Sequence, residues 1–275
     1  MNGSRDGRPG PARRVLNPAQ PDPLLHYEYD RGSNYEEDTR LTIALSALVP
    51  EAALHSPDHR FFQVTHLITE YAWVAIHHDL TAVAGALAAG DLTRARRQLT
   101  RACGTAAIPV VAVRNLMTSL PQTGLLRMRQ LFPPNTTGLD SPGGRNLRRA
   151  CRAVWTAFET HLNEAGHTLP ALVEAAATDA ASPGTAPAAD VMLAMQRLDA
   201  AVMEWKQVHL SMVWMLIGGQ PFAAEDDIAQ EGPSSLRGRP IGDLERMAMR
   251  PMFPRLWQLS TETFHRTVNP EEFHD

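Results

Sequence analysis

Residues 190–219, "DVMLAMQRLDAAVMEWKQVHLSMVWMLIGG", constrain the fold more than any other segment. Apolar residues recur there at three- and four-residue spacing and leave almost no polar face, which marks a helix buried on all sides. Gly218 and Gly219 supply its stop signal. A helix of this length and polarity needs several others to cover it. Two candidates are equally long. "FFQVTHLITEYAWVAIHHDLTAVAGALAAG" reads as a helix closed by Gly90. "DLTRARRQLTRACGTAAIPVVAVRNLMTSL" reads as another, N-capped by Asp91 and kinked or broken near Pro109. Shorter helices are predicted over residues 35–48, 122–132 and 145–162, and around "MFPRLWQLSTETFHR". No segment alternates at the two-residue period of a strand.

These patterns predict an all-α fold, an antiparallel helical bundle forming a single domain over residues 34–275. Residues 1–33, rich in Gly, Pro, Arg and Asp, read as a flexible N-terminal arm. "PPNTTGLDSPGG", "DAASPGTAPAA" and "QPFAAEDDIAQEGPSSLRGRP" read as loops. A net charge of -4 provides no basic field, so nucleic acid is not an expected partner. The two cysteines, Cys103 and Cys151, form no CxxC pattern and predict neither a disulfide framework nor a zinc site. A reducing cytoplasm is the expected location. Neither a secretory leader nor a membrane span is expected.

His209 lies within the buried helix. Its neighbours at three, four and seven residues are Val202, Trp205, Lys206, Met212, Val213 and Leu216, and all but Lys206 are apolar. A buried imidazole needs a partner for each nitrogen. A backbone carbonyl would satisfy it as a core residue, and a heme iron would satisfy it as an axial ligand with the apolar helix as a porphyrin wall. No Cys, His, Asp or Glu stands three or four residues away, so a local zinc motif is not supported. The stretch alone admits both the core and the heme readings.

The second long helix places His66, Glu70, Trp73 and His77 along one face, with Glu70 four residues from His66. An amphipathic helix with a polar stripe explains that pattern equally well. Arg145 follows a loop and stands near a helix start. There it could pair bidentately with a substrate carboxylate or simply face solvent.

Taken together, these blocks resemble the tryptophan 2,3-dioxygenase superfamily of histidine-ligated heme enzymes. The resemblance spans most of residues 35–260, in four blocks in the family's order. "YEEDTRLTIALSALVP" keeps Tyr35, Leu41, Leu45 and Pro50 but has Asp38 and Thr39 where the family has tyrosine and leucine. "PDHRFFQVTHLITEYAWVAIHHDL" matches through Phe62, His66, Glu70, His77 and Leu80. "TGLDSPGGR" has the length of the family's SGFQSLQFR, which places Ser141 and Arg145 at its serine and arginine. "WKQVHLSMVWMLIG" resembles WRxxHxxxVxRMIG, and "FPRLW" resembles the later FPxLW.

The resemblance implies a heme site between central helices, with His209 as axial iron ligand and Trp205 and Val213 as cofactor-contacting residues. It implies His66 as the catalytic residue on the open face. Arg145, Phe62, Tyr35 and Ser141 become the residues that hold an aromatic amino acid. Tyr35 is expected to reach a neighbouring subunit of a homo-oligomer, a dimer or tetramer. A relative attaches heme through a cysteine four residues after the ligand. Val213 stands there, so heme b is expected to be non-covalent. The family's ammonium-binding GTGGSSG loop is replaced by "QPFAAEDDIAQEGPSSLRG".

That departure favours the divergent bacterial branch of heme-dependent tyrosine hydroxylases over tryptophan dioxygenases. The expected reaction is ortho-hydroxylation of L-tyrosine to L-DOPA for natural-product biosynthesis, with hydrogen peroxide or dioxygen as oxidant. Dioxygenation of tryptophan or an indole is the alternative, and a heme-free helical scaffold the third. Arg237, Arg239 and Arg250 are candidates for heme propionates. His55 and His59 are four apart, but Pro57 between them argues for a loop rather than a metal pair. Met247, Met249 and Met252 are expected in the core.

Overall fold

The computed structural model describes residues 12–133, 138, 141–177, 184–219 and 241–268. The fold is all-α, with a two-stranded sheet as the only β structure among the described residues. Contacts divide the chain into two compact units, Met1–Val64 and Thr65–Asp275.

In the first unit, β1 (Ala12–Val15) pairs antiparallel with β2 (Glu28–Arg31), with Arg13 opposite Asp30. Much of the segment expected to be a flexible arm is therefore a hairpin, while residues 1–11 of that arm lie outside the described residues. The strands are short and mostly charged, so they carry no apolar alternation to read. Asn17 closes the connecting loop, accepting from Tyr27 N at 2.9 Å and donating to Leu25 O at 3.1 Å.

The helix expected over residues 35–48 is two helices, α1 (Asn34–Thr39) and α2 (Leu41–Ser46). They are parted by Arg40, a non-glycine residue at φ 54°. Ser33 caps α1 by accepting from Glu36 N at 3.2 Å, and Glu36 reaches back to accept from Gly32 N, just before the cap, at 3.0 Å. α3 (His59–Ala88) begins here, and Arg60 and Gln63 hold the preceding chain through Val49 and Ala47.

In the second unit, α3 turns into α4 (Leu92–Ser119) through Gly90, at φ 71°, and Asp91, whose carboxylate accepts from Arg94 N at 2.9 Å. Asp79, buried on α3, pairs with Arg101 on α4. The two stand equally far from the turn, so the helices run antiparallel. α4 continues through Pro109 without a break. Its buried face packs along α8 (Ala186–Leu216), and this packing outweighs the lost backbone hydrogen bond.

α5 (Gln122–Leu131) follows. α6 (Pro142–Ala165) starts three residues earlier than expected, because Ser141 is its N-cap and Pro142 its first residue. α7 (Leu169–Ala177) and α9 (Ile241–Ala248) are short helices not anticipated from the sequence. α10 (Pro254–Val268) ends the described chain. The polar loop read over residues 220–240, with Arg237 and Arg239, lies outside the described residues, as does most of the "PPNTTGLD" loop.

α8 is central, packing on α4, α5, α7 and α9. Met192, Met195 and Leu198 on α8, Phe158 on α6, Leu99 on α4 and Phe253 before α10 are all essentially inaccessible. Burying each contributes about 1.5–3 kcal/mol. Of the three methionines expected in the core, Met252 is buried, whereas Met249 is 65% exposed. Among the described residues no single helix is long and apolar enough to cross a membrane.

Candidate functional site

The second unit holds His66, Ser141, Arg145, Trp205, His209 and Val213. On α8, Trp205 and His209 are one turn apart with their rings nearly parallel, centroids 5.3 Å apart and planes 22° apart. Trp73 on α3 meets Trp205 edge-on at 5.0 Å and 85°. Val213, one turn further on, is buried. His209 keeps some surface exposure but is densely surrounded. Desolvation, assisted by the nearby positive form of His66, lowers its pKa from the ordinary 6.5 to about 4. The ring is therefore neutral at physiological pH. His66 is exposed on α3. The influence of His66 on His209 means that the two imidazoles lie within electrostatic reach of each other.

His209 makes no hydrogen bond with the described residues. Trp205 Nε1 is buried and likewise has no partner among them. Asp199 and Lys206, buried on the same helix, do have partners. Asp199 on α8 is fully inaccessible and accepts from Met252 N and Phe253 N at 2.8 Å and from Trp257 Nε1 at 3.0 Å. That bond set gives "FPRLW" a structural role as a clamp on α8. Lys206 donates to the carbonyl of Arg250. Burial pushes its pKa down, and Asp199 opposes the shift. Burial also pushes the Cys151 thiol up to about 12, so it is unreactive. Both cysteines are free thiols.

Ser141 does not present an uncommitted hydroxyl. It donates to the Glu70 carboxylate and accepts from Gly143 N at 3.3 Å. Glu70 thus joins α3 to the start of α6. Gly143 lies so close to α3 that a Cβ there would stand 2.2 Å from Trp73 Cδ1. Glu70, Ser141 and Gly143 form a junction between α3 and α6 whose pairing the sequence spacing did not reveal. Arg145 is exposed, on the side of α6 away from its buried stripe, and makes no hydrogen bond or ion pair with the described residues. His77 is also exposed.

In the first unit, Tyr35 on α1 is 70% exposed, and Phe62 is partly buried near the start of α3. His55 and His59 stack at 4.8 Å, with His55 N donating to His59 Nδ1 at 3.2 Å. Burial, then His55 and Arg60, lowers the pKa of His59.

Among the described residues no three His, Cys, Asp or Glu side chains are grouped to hold a bare metal ion. A neutral imidazole with no hydrogen bond among the described residues could instead hold a metal that brings its own donors, as heme iron does. A single neutral histidine among apolar neighbours is a donor set that heme could use. A groove of about 250 Å³ between α7, α8 and α10, lined by Val173, Met192, Leu193 and Leu259 among others, touches none of these residues. No family model matches the chain, and comparison with curated proteins gives no match.

Proposed function

We propose that the chain is a cytoplasmic b-type heme enzyme that oxygenates an aromatic amino acid, with L-tyrosine hydroxylated ortho to its phenol. The observation that carries this reading is His209. It is desolvated, neutral and near His66, and it has no hydrogen-bond partner among the described residues. A core histidine would be satisfied by a carbonyl or a hydroxyl. An axial ligand must keep a nitrogen available.

Heme bound there would supply the redox-active iron at which hydrogen peroxide or dioxygen is consumed. His209 would hold the iron, with Trp205 and Val213 as neighbouring walls. His66 carries a proton at a ring nitrogen and exchanges it with oxidant or phenol, and its exposure gives that proton a route to solvent. Arg145 offers its charge to the substrate carboxylate, and this orients the aromatic ring. By the resemblance, Phe62 and Tyr35, both on the first unit, would be further substrate contacts, with Tyr35 serving a partner subunit in a homo-oligomer.

Heme reconstitution tests the reading. The expected result is a stoichiometric Soret band that His209→Ala abolishes. L-tyrosine should then yield L-DOPA with peroxide or with dioxygen and a reductant. A chain that takes up no heme overturns the proposal. N-formylkynurenine from tryptophan, with no product from tyrosine, replaces hydroxylation by dioxygenation.

A further inference from the structure

We propose that Trp205 is a positioning residue that sets the plane of the His209 imidazole. The proposal rests on the heme reading above and goes beyond it, because it names what orients the ligand. A histidine ring turns about a broad torsion with no sharp staggered minimum. Its plane must therefore come from its surroundings, commonly a hydrogen bond from the second ring nitrogen. His209 makes no such bond among the described residues. What it has is the indole of Trp205, near-parallel at 5.3 Å.

The indole is itself held by packing. Its own N–H has no partner among the described residues, so no hydrogen bond orients it. Trp73 abuts it edge-on at 5.0 Å. Trp73 is 3% exposed and is backed by Gly143, where even a methyl group would overlap its ring. Three helices thus converge on one ring series, with Gly143 on α6 behind Trp73 on α3, Trp73 against Trp205, and Trp205 alongside His209 on α8. Fixing that plane would set how the His209 imidazole is presented to a heme iron, and so would tune affinity.

Trp205→Leu removes the flat ring, and Trp205→Phe keeps one. The first measurement needs no heme. In the apo-protein the His209 Cε1–H and Cδ2–H resonances should lie upfield through the indole ring current. They should relax toward ordinary positions in Trp205→Leu and stay displaced in Trp205→Phe. The second is heme titration followed by ferric electron paramagnetic resonance. Trp205→Leu should weaken heme binding by about 10–100-fold, the range for groups that orient metal ligands, and broaden the ferric signal. Trp205→Phe should restore both. Far-UV circular dichroism confirms that each variant is folded.

Unshifted His209 resonances in the wild type overturn the stack. Heme uptake by Trp205→Leu with wild-type affinity and spectrum overturns the positioning role alone. A wild type that binds no heme while keeping the shifted resonances overturns the heme reading, and the ligand-positioning role falls with it.

Discussion

The two halves of α8 treat buried polar groups in opposite ways. In the first half Asp199 is fully inaccessible and has three donors aimed at it. In the second half Trp205 Nε1 has no partner among the described residues, and His209 is desolvated to a pKa of about 4 without a hydrogen bond among them. Met215, near the helix end, is 59% exposed. A satisfied buried carboxylate holds a fold together. A buried donor left unsatisfied costs stability, and Trp205 Nε1 is such a donor beside His209. One helix thus serves as anchor at one end and as candidate site at the other.

The sharpest way to break that contrast is Asp199→Ala. It strands two buried backbone donors, Met252 N and Phe253 N, frees the Trp257 indole, and removes the negative charge near Lys206. Stability should fall by about 3–5 kcal/mol, read as a lower urea midpoint. His209→Ala should leave the neutral-pH midpoint far less changed. Equal losses at both positions would erase the distinction between the two halves.

Acid probes the second half directly. The folded-state pKa of His209 is lowered from 6.5 to about 4, so between these values the unfolded chain binds a proton that the native ring refuses. The stability tied to the neutral ring is fully present above pH 6.5 and is lost as pH falls toward 4, by at most about 3 kcal/mol. His209→Met lacks this proton, so its urea midpoint should fall less between pH 7 and pH 5 than that of the wild type. His59, lowered in the same direction, contributes to both proteins and cancels in the difference. Superimposable pH profiles would show that the ring is solvated in the native state.

Gly143→Ala tests the packing that supports the site. The added methyl would fall 2.2 Å from Trp73 Cδ1, so α6 or the Trp73 ring must shift. Overpacking of this kind costs about 1–3 kcal/mol. Gly144, one residue on, has open space at its Cβ position, and Gly144→Ala should be neutral or slightly stabilising. Calorimetric melting of the two variants separates local crowding from a general helix effect.

The long helices were legible because their signals are local. Apolar spacing located α3, α4 and α8, and Gly90, Asp91 and Gly218–Gly219 marked ends that the structure keeps, with all three glycines at positive φ. What escaped was short or non-local. α7 and α9 hold only about two turns each, too few to show a period, and the Arg- and Pro-rich text around α9 hid it. Arg40 takes a glycine-like conformation that its residue type does not announce. Asp199 meets partners more than fifty residues away, which no window on the sequence can pair. In the site, His66 and His209 were paired through resemblance rather than spacing. The ring stack joining Trp73, Trp205 and His209 needed the fold to bring two helices together.

Ser141 gives the smallest and most discriminating test, because sequence and structure assign it different tasks. The resemblance makes it a substrate contact, whereas in the fold its hydroxyl caps α6 and donates to Glu70. Ser141→Ala removes both bonds and should cost about 1 kcal/mol, the usual loss for an N-cap. Glu70→Gln retains a carbonyl oxygen for the same hydroxyl and should cost less. If the hydroxyl is purely a cap, Ser141→Ala lowers the urea midpoint without changing the dissociation constant for L-tyrosine in heme-loaded protein. An affinity loss of about tenfold or more, larger than the cap loss explains, would return Ser141 to the substrate and extend the unsatisfied character of the second half of α8 to the start of α6.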